Sequence, residues 1–164
     1  MGIDIEPATL DDVDVLVEAW VTLAREQREH GSHVRADPSR EAIRESLGRR
    51  IVADDVLVAR DGNDVIGFVT LKIERGRLEL SATRGVVPYL FVAPERRDEE
   101  VGTELLAAAE SRLEERGADV VSLEVMAANE DARRFYRRHG YDLHRVTMEK
   151  ALSDESDTHS KDDR

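Results

Sequence analysis

Val86-Val87-Pro88-Tyr89-Leu90-Phe91-Val92-Ala93-Pro94-Glu95-Arg96-Arg97-Asp98-Glu99-Glu100-Val101-Gly102-Thr103-Glu104-Leu105-Leu106 is the stretch on which the fold turns. Its apolar run, residues 86–92, lies between Gly85 and Ala93-Pro94. That pattern predicts a strand buried on both faces. Pro88 has no N–H to give to a ladder, so it marks a bulge or a place where the strand parts from its neighbour. A short polar loop follows, then a helix beginning near Glu100 with Val101, Leu105, Ala109 and Leu113 as its inward stripe. Strand, tight turn and helix N-terminus make a ready anion site. The first N–H groups of the helix lack internal partners, and the dipole adds positive potential. A phosphorylated ligand is the natural guest. Every βα unit makes such a turn, however, so this stretch alone leaves ligand binding and plain architecture both open.

Working outward, Ile3-Asp4-Ile5 alternates as a short strand, and Thr9 caps a first helix with Asp11 and Asp12 in its opening turn. Leu10, Val13, Leu16, Val17, Trp20, Leu23 and Ala24 share one face, which makes Trp20 core. That helix stops by Gly31. His30 and His33 sit in a Gly-Ser loop with no partner pattern, so no metal is expected. A second helix starts after Asp37-Pro38 and ends near Arg50, with Ile43 and Leu47 inward. Residues 56–59 and 65–73 form an antiparallel pair around the turn Asp61-Gly62-Asn63-Asp64. Arg75-Gly76-Arg77 turns the chain again, and residues 78–84 read equally as sheet or loop. Beyond the central helix, Gly117 is its C′ residue and residues 120–125 a strand parallel to the central one. Asn129 caps a last helix carrying Ala132, Phe135 and Tyr136, and Gly140 stops it. Residues 141–150 read as a final strand, and residues 151–164 as a charged, disordered tail. The order β-α-α-β-β-β-α-β-α-β is an α+β mixed sheet, mostly antiparallel, with helices on both faces. No repeat or linker divides it, so residues 1–150 are expected to form one domain.

Asp and Glu number 36 against 24 Lys and Arg, a formal net charge of −12. Such a chain repels phosphate backbones, so nucleic acid is not an expected partner. No run of eighteen apolar residues predicts a membrane span, and the N-terminus carries no secretory pattern. The absence of cysteine removes disulfides, thiolate nucleophiles and Cys-type zinc sites, and it fits a reducing cytoplasm. The acid excess, the scarcity of lysine and the few aromatics also suit a salt-rich cytoplasm, where molar salt screens self-repulsion.

Two segments resemble a known family. Val92-Ala93-Pro94-Glu95-Arg96-Arg97, running into Val101-Gly102-Thr103-Glu104-Leu105-Leu106, is similar to the acetyl-CoA-binding segment of the GNAT superfamily of N-acetyltransferases. Residues 129–141 match its second signature, N-x-x-A-x-x-F-Y-x-x-x-G-[FY]. The order of elements agrees to about Lys150. The resemblance implies a GNAT-like fold with two splayed parallel strands. It further implies acetyl-CoA as cosubstrate, its pyrophosphate held by backbone N–H groups of residues 97–103, Val101 and Gly102 among them, beside the Thr103 hydroxyl. Phe91 and Val92 would pair with the pantetheine arm, Asn129 would contact the cofactor, and Tyr136 would be the general acid. The family pattern [RQ]-x-x-G-x-[GA] begins at Arg97 and ends at Gly102, but its middle glycine is Glu100 here. A unit charge about 6 Å from a phosphate costs about 1.4 kcal/mol at an effective dielectric near 40.

The implied chemistry is direct attack of a primary amine on acetyl-CoA in a ternary complex. A phenol of ordinary pKa about 10 can protonate the leaving thiolate. Without cysteine there is no Cys-acyl intermediate, and no serine elbow motif is present. Glu79 and Glu124 are the candidate bases for the amine proton. The acceptor can be a small amine or a protein N-terminus, and a homodimer fits, since many relatives associate. A non-catalytic CoA-binding or regulatory domain on the same fold is the alternative, and Glu100 is the feature that favours it.

Overall fold

Burial on two sides decides how the strands lie. The computed structural model describes residues 2–75 and 78–153. Its strands are β1 (Asp4–Pro7), β2 (Val56–Asp61), β3 (Asp64–Thr70), β4 (Lys72–Ile73), β5 (Arg84–Val86), β6 (Leu90–Val92) and β7 (Val120–Ser122). Its helices are α1 (Val13–Glu29), α2 (Arg40–Val52), α3 (Val101–Glu115) and α4 (Glu130–Arg138). Contacts gather the chain into two units, Met1–Glu130 and Asp131–Arg164.

The first unit holds both sheets. One has the order β1-β2-β3-β6, antiparallel throughout; the other is β4-β5-β7, in which β5 and β7 run parallel. In β2 and β3 side chains alternate between two cores. Val56, Val58 and Phe68 pack with Leu16, Val17, Trp20 and Leu47 from α1 and α2. Leu57, Ala59 and Val69 pack with Val101, Leu105, Ala109 and Leu113 from α3. Helices therefore cover both faces, which is why these strands read as continuous apolar runs. The expected α3 stripe and the expected core role of Trp20 are what the structure shows, and Phe68 is fully buried as well. Gly67 admits α3 closely: a Cβ there would stand 2.7 Å from the Phe91 carbonyl oxygen and 3.1 Å from Leu105.

The hairpin and the parallel crossover form as the sequence indicates, with three differences. Residues 65–73 are interrupted at Leu71, whose N–H turns aside to the Asp55 carbonyl at 3.0 Å. The strand expected over residues 120–125 ends at Ser122. Residues 141–150 form no strand. Tyr141 and Leu143 fall in one phase and Val146 and Met148 in the other, so no single face is apolar. Leu143, Val146 and Met148 are accordingly exposed. The turn residues Gly76 and Arg77, and residues 154–164 of the expected tail, lie outside the described residues.

In the second unit, Phe135, Tyr136, His139 and Tyr141 form an edge-to-face ring cluster. Gly140, at φ 91°, ends α4, and the Tyr141 N–H returns to the Tyr136 carbonyl at 3.0 Å.

Candidate active site

The central strand is two strands in register with different neighbours. β5 lies between β4 and β7, and the Val87 N–H makes a last rung to the Ser122 carbonyl at 3.0 Å. Pro88 offers no donor. Tyr89 then bonds the other way: its N–H reaches the Thr70 hydroxyl oxygen at 3.1 Å, and its carbonyl accepts the Thr70 N–H at 2.9 Å. From Leu90 onward β6 pairs with β3 alone, at the end of its sheet. The expected parting therefore falls at Pro88.

Alternation fixes which groups face the gap. The Tyr89 carbonyl and the Ala93 N–H both bond across to β3. Phe91, opposite Phe68, shares their phase, so Leu90 and Val92 turn their N–H and C=O groups away from β3. Of the two residues named for pantetheine, Val92 has its backbone on the open edge, while Phe91 pairs inward and packs its ring with α1 and α2. Leu90 was missed by sequence reasoning. Its signal was the period of two counted from Pro88.

The open edge leads to the N-terminus of α3. Asp98 and Glu100 both adopt left-handed backbone, φ 71° and φ 66°, and Glu100 is the residue before the helix. Such left-handed steps curl successive N–H groups toward one side, a concavity suited to an anion. Val101 and Gly102 have no carbonyl one turn back within α3. The Val101 side chain is core, so only its main chain is available to a ligand. Thr103 lies in the same turn. Arg97 spans this mouth: its Nε donates to the Val92 carbonyl at 2.9 Å, its Nη2 pairs with Glu26 of α1 at 2.9 Å, and the guanidinium lies over the Phe91 ring.

The remaining candidates are less gathered. Glu79 is exposed in the segment before β5, and Glu124 is exposed just after β7. Asn129 immediately precedes α4, its N–H on the Met126 carbonyl at 2.9 Å. Tyr136 belongs to the second unit, where burial pushes its phenol up to about 12. A cavity of about 560 Å³ opens elsewhere, among Asp11, Asp12, Arg60, Asp64, Glu95 and Arg96. It touches neither Leu90, Val92 nor Gly102, and its buried carboxylate, Asp12, is already paired with Arg60. Among the described residues no cluster of His, Asp and Glu could hold a metal ion, and no helix is long and apolar enough to cross a membrane.

The model of the Acetyltransferase (GNAT) family matches residues 17–141. The chain belongs to the GNAT family. It is similar to the aminoalkylphosphonate N-acetyltransferase of Salmonella typhimurium, 26% identical over 152 residues that cover 91% of each chain. An uncharacterized N-acetyltransferase of Archaeoglobus fulgidus is 30% identical over 133 residues, 81% of this chain and 88% of that one. The fold is shared with PaiA N-acetyltransferase of Thermoplasma acidophilum, solved in complex with coenzyme A, at TM-score 0.71 and 22% identity over 90% of this chain and 94% of that one. As a GNAT protein the chain is an acetyl-CoA-dependent N-acetyltransferase with an amine acceptor. The non-catalytic alternative is not favoured.

Proposed function

We propose that acetyl transfer takes place at the open edge of β6. The observation that carries this reading is the one-sided pairing of residues 90–92 beside the start of α3. Pantetheine would lie along Leu90 and Val92 as a missing strand. The pyrophosphate would meet the N–H groups of residues 97–103, with Arg97, Val101, Gly102 and Thr103 as its contacts. Phe91 acts through its ring and its pairing to β3, which hold the edge straight. Asn129 contacts the cofactor by its place in the family signature.

Chemistry then follows in one step of addition and one of collapse. The acceptor nitrogen attacks the thioester carbon in a ternary complex, and an outward N–H of β6 steadies the oxygen as it gains charge. The C–S bond breaks as the C–N bond is kept. The thiolate takes a proton from the Tyr136 phenol, and the amine gives one up to water or to Glu79 or Glu124. The Tyr136 assignment is supported by the spacing of Asn129, Tyr136 and Gly140 and by a pKa that keeps the phenol protonated at neutral pH.

A small amine is the favoured acceptor over a protein N-terminus, on the aminoalkyl acceptor named for the Salmonella relative. We further propose one domain across residues 1–150, a homodimer, and a cytoplasmic setting consistent with the lack of cysteine. Calorimetry with CoA, followed by thiol release from acetyl-CoA against a panel of small amines, tests the reading. Binding and acceptor-dependent thiol release are expected. No CoA binding in either low or molar KCl overturns it.

A further inference from the structure

Arg97 lies where the acyl donor has to go. Val92 turns its carbonyl to the open edge, and the Nε of Arg97 already occupies that carbonyl at 2.9 Å. The other end of the same guanidinium is held by Glu26, 71 residues away on α1, at 2.9 Å. Phe91 supplies a ring beneath it, 5.6 Å from the guanidinium carbon to the centroid. The neighbouring Arg96 is differently employed: it pairs with Asp61 and Glu99, each at 2.9 Å, and leaves the edge alone. One side chain thus ties the open strand edge to the helix layer above it.

We propose that the Glu26–Arg97 ion pair is a latch over the Val92 end of the β6 edge, opened by the diphosphate of the incoming acyl donor. This rests on the placement of the donor argued above. The physical case is an exchange of anions. A donor paired to Val92 has to dislodge the guanidinium from the carbonyl. Dislodging costs the Glu26 pair, which is a small cost because both side chains are part-exposed, 43% for Arg97 and 33% for Glu26. A donor with a diphosphate repays it, since phosphate accepts a planar guanidinium through two bonds and carries more charge than one carboxylate. A donor without a diphosphate meets the same obstacle and has nothing to offer Arg97. The latch therefore selects the donor by its diphosphate, and Glu26 sets the threshold as a positioning residue that touches no reacting atom.

The two halves of the latch give opposite signatures. Calorimetry would compare CoA with pantetheine, which lacks the diphosphate and is read by competition against CoA. In Glu26→Gln the latch is loosened for both probes, so both bind about two- to five-fold tighter, the range an exposed pair can give. Glu26→Asp, too short to reach, moves both the same way and guards against a folding artefact in the first variant. In Arg97→Ala the probes diverge: pantetheine binds tighter, while CoA binds about tenfold or more weaker through loss of a charge-assisted contact. In 1 M KCl the gap between the parent and Glu26→Gln narrows, because the pair is partly screened. Weaker or unchanged binding of both probes in Glu26→Gln, or equal weakening of both in Arg97→Ala, overturns the latch while leaving parent CoA binding intact. Failure of the parent itself to bind CoA overturns the donor's placement and the latch with it.

Discussion

Glu100 stands at φ 66°, in a region that costs an ordinary L-residue about 1–2 kcal/mol and a glycine nothing. The family's glycine at this point of the motif has that conformational reason, and closeness to the pyrophosphate adds a second. Glu100→Gly is expected to raise stability by about 0.5–1 kcal/mol, the relief being partly offset by the freer unfolded chain. Urea denaturation reads this directly. The same change removes a like charge, so CoA should bind more tightly, and the gain should shrink in molar salt. A variant that binds CoA no better at low salt would place the Glu100 side chain too far from the phosphate to matter. Tyr136 makes a separate claim about pH. Its phenol titrates near 12 in the folded protein and near 10 when unfolded. The unfolded chain therefore loses its proton first, and stability falls as pH rises from 10 toward 12, by an amount on the order of 2 kcal/mol. Tyr136→Phe should flatten that fall in denaturation curves taken at pH 9 and pH 11, and should cut turnover at pH 8 if the phenol is the proton donor.

The parting of the strands is an element-scale device, and Thr70 sustains it. The residue is fully buried, yet its hydroxyl takes the Tyr89 N–H that the ladder abandons after Pro88. Thr70→Val keeps the shape and removes the acceptor, leaving that part-buried N–H without its partner. A loss of about 1–3 kcal/mol is expected, with Thr70→Ser restoring most of it. Equal stability of the Val and Thr proteins would show that another group satisfies Tyr89. Sequence reading reached this device halfway. Pro88 announces that a ladder must break, because a missing donor is written in the residue itself. Nothing local says that Thr70, eighteen residues upstream, repairs the break, since its role exists only once β3 and β6 pair. The α3 stripe was legible for the opposite reason: Val101, Leu105, Ala109 and Leu113 repeat at a helical period regardless of what they meet. Residues 141–150 misled because their composition favours a strand while their phase slips between Leu143 and Val146. Glu26 carried no signal at all, one surface acid among many until Arg97 comes within reach of it.

At the scale of the whole molecule the charge sets the terms. Acids exceed bases by 36 − 24 = 12, so arginine cannot pair with all of them. Two opposing effects of salt follow. Contact pairs such as Arg25–Asp37 and Arg112–Asp54, both at 2.9 Å, lose strength when screened. The repulsion among the surplus acids loses strength as well. Distance decides between them. At 1 M salt the Debye length is about 3 Å, against about 10 Å at 0.1 M. A pair in contact sits within even the shorter length and keeps about half of the attraction it has at 0.1 M. Acids spread over the surface at 10 Å and beyond lose nearly all of their repulsion. Exposed pairs also contribute little to begin with, typically under about 1 kcal/mol each. Screening should therefore stabilise the fold, and its melting temperature should climb between 0.1 and 1 M KCl. Tetramethylammonium chloride should reproduce the climb, since it screens equally without binding carboxylates closely. A melting temperature that is flat or falling across this range would mean that the contact pairs outweigh the surplus, and the case for a salt-rich cytoplasm would lose its physical basis.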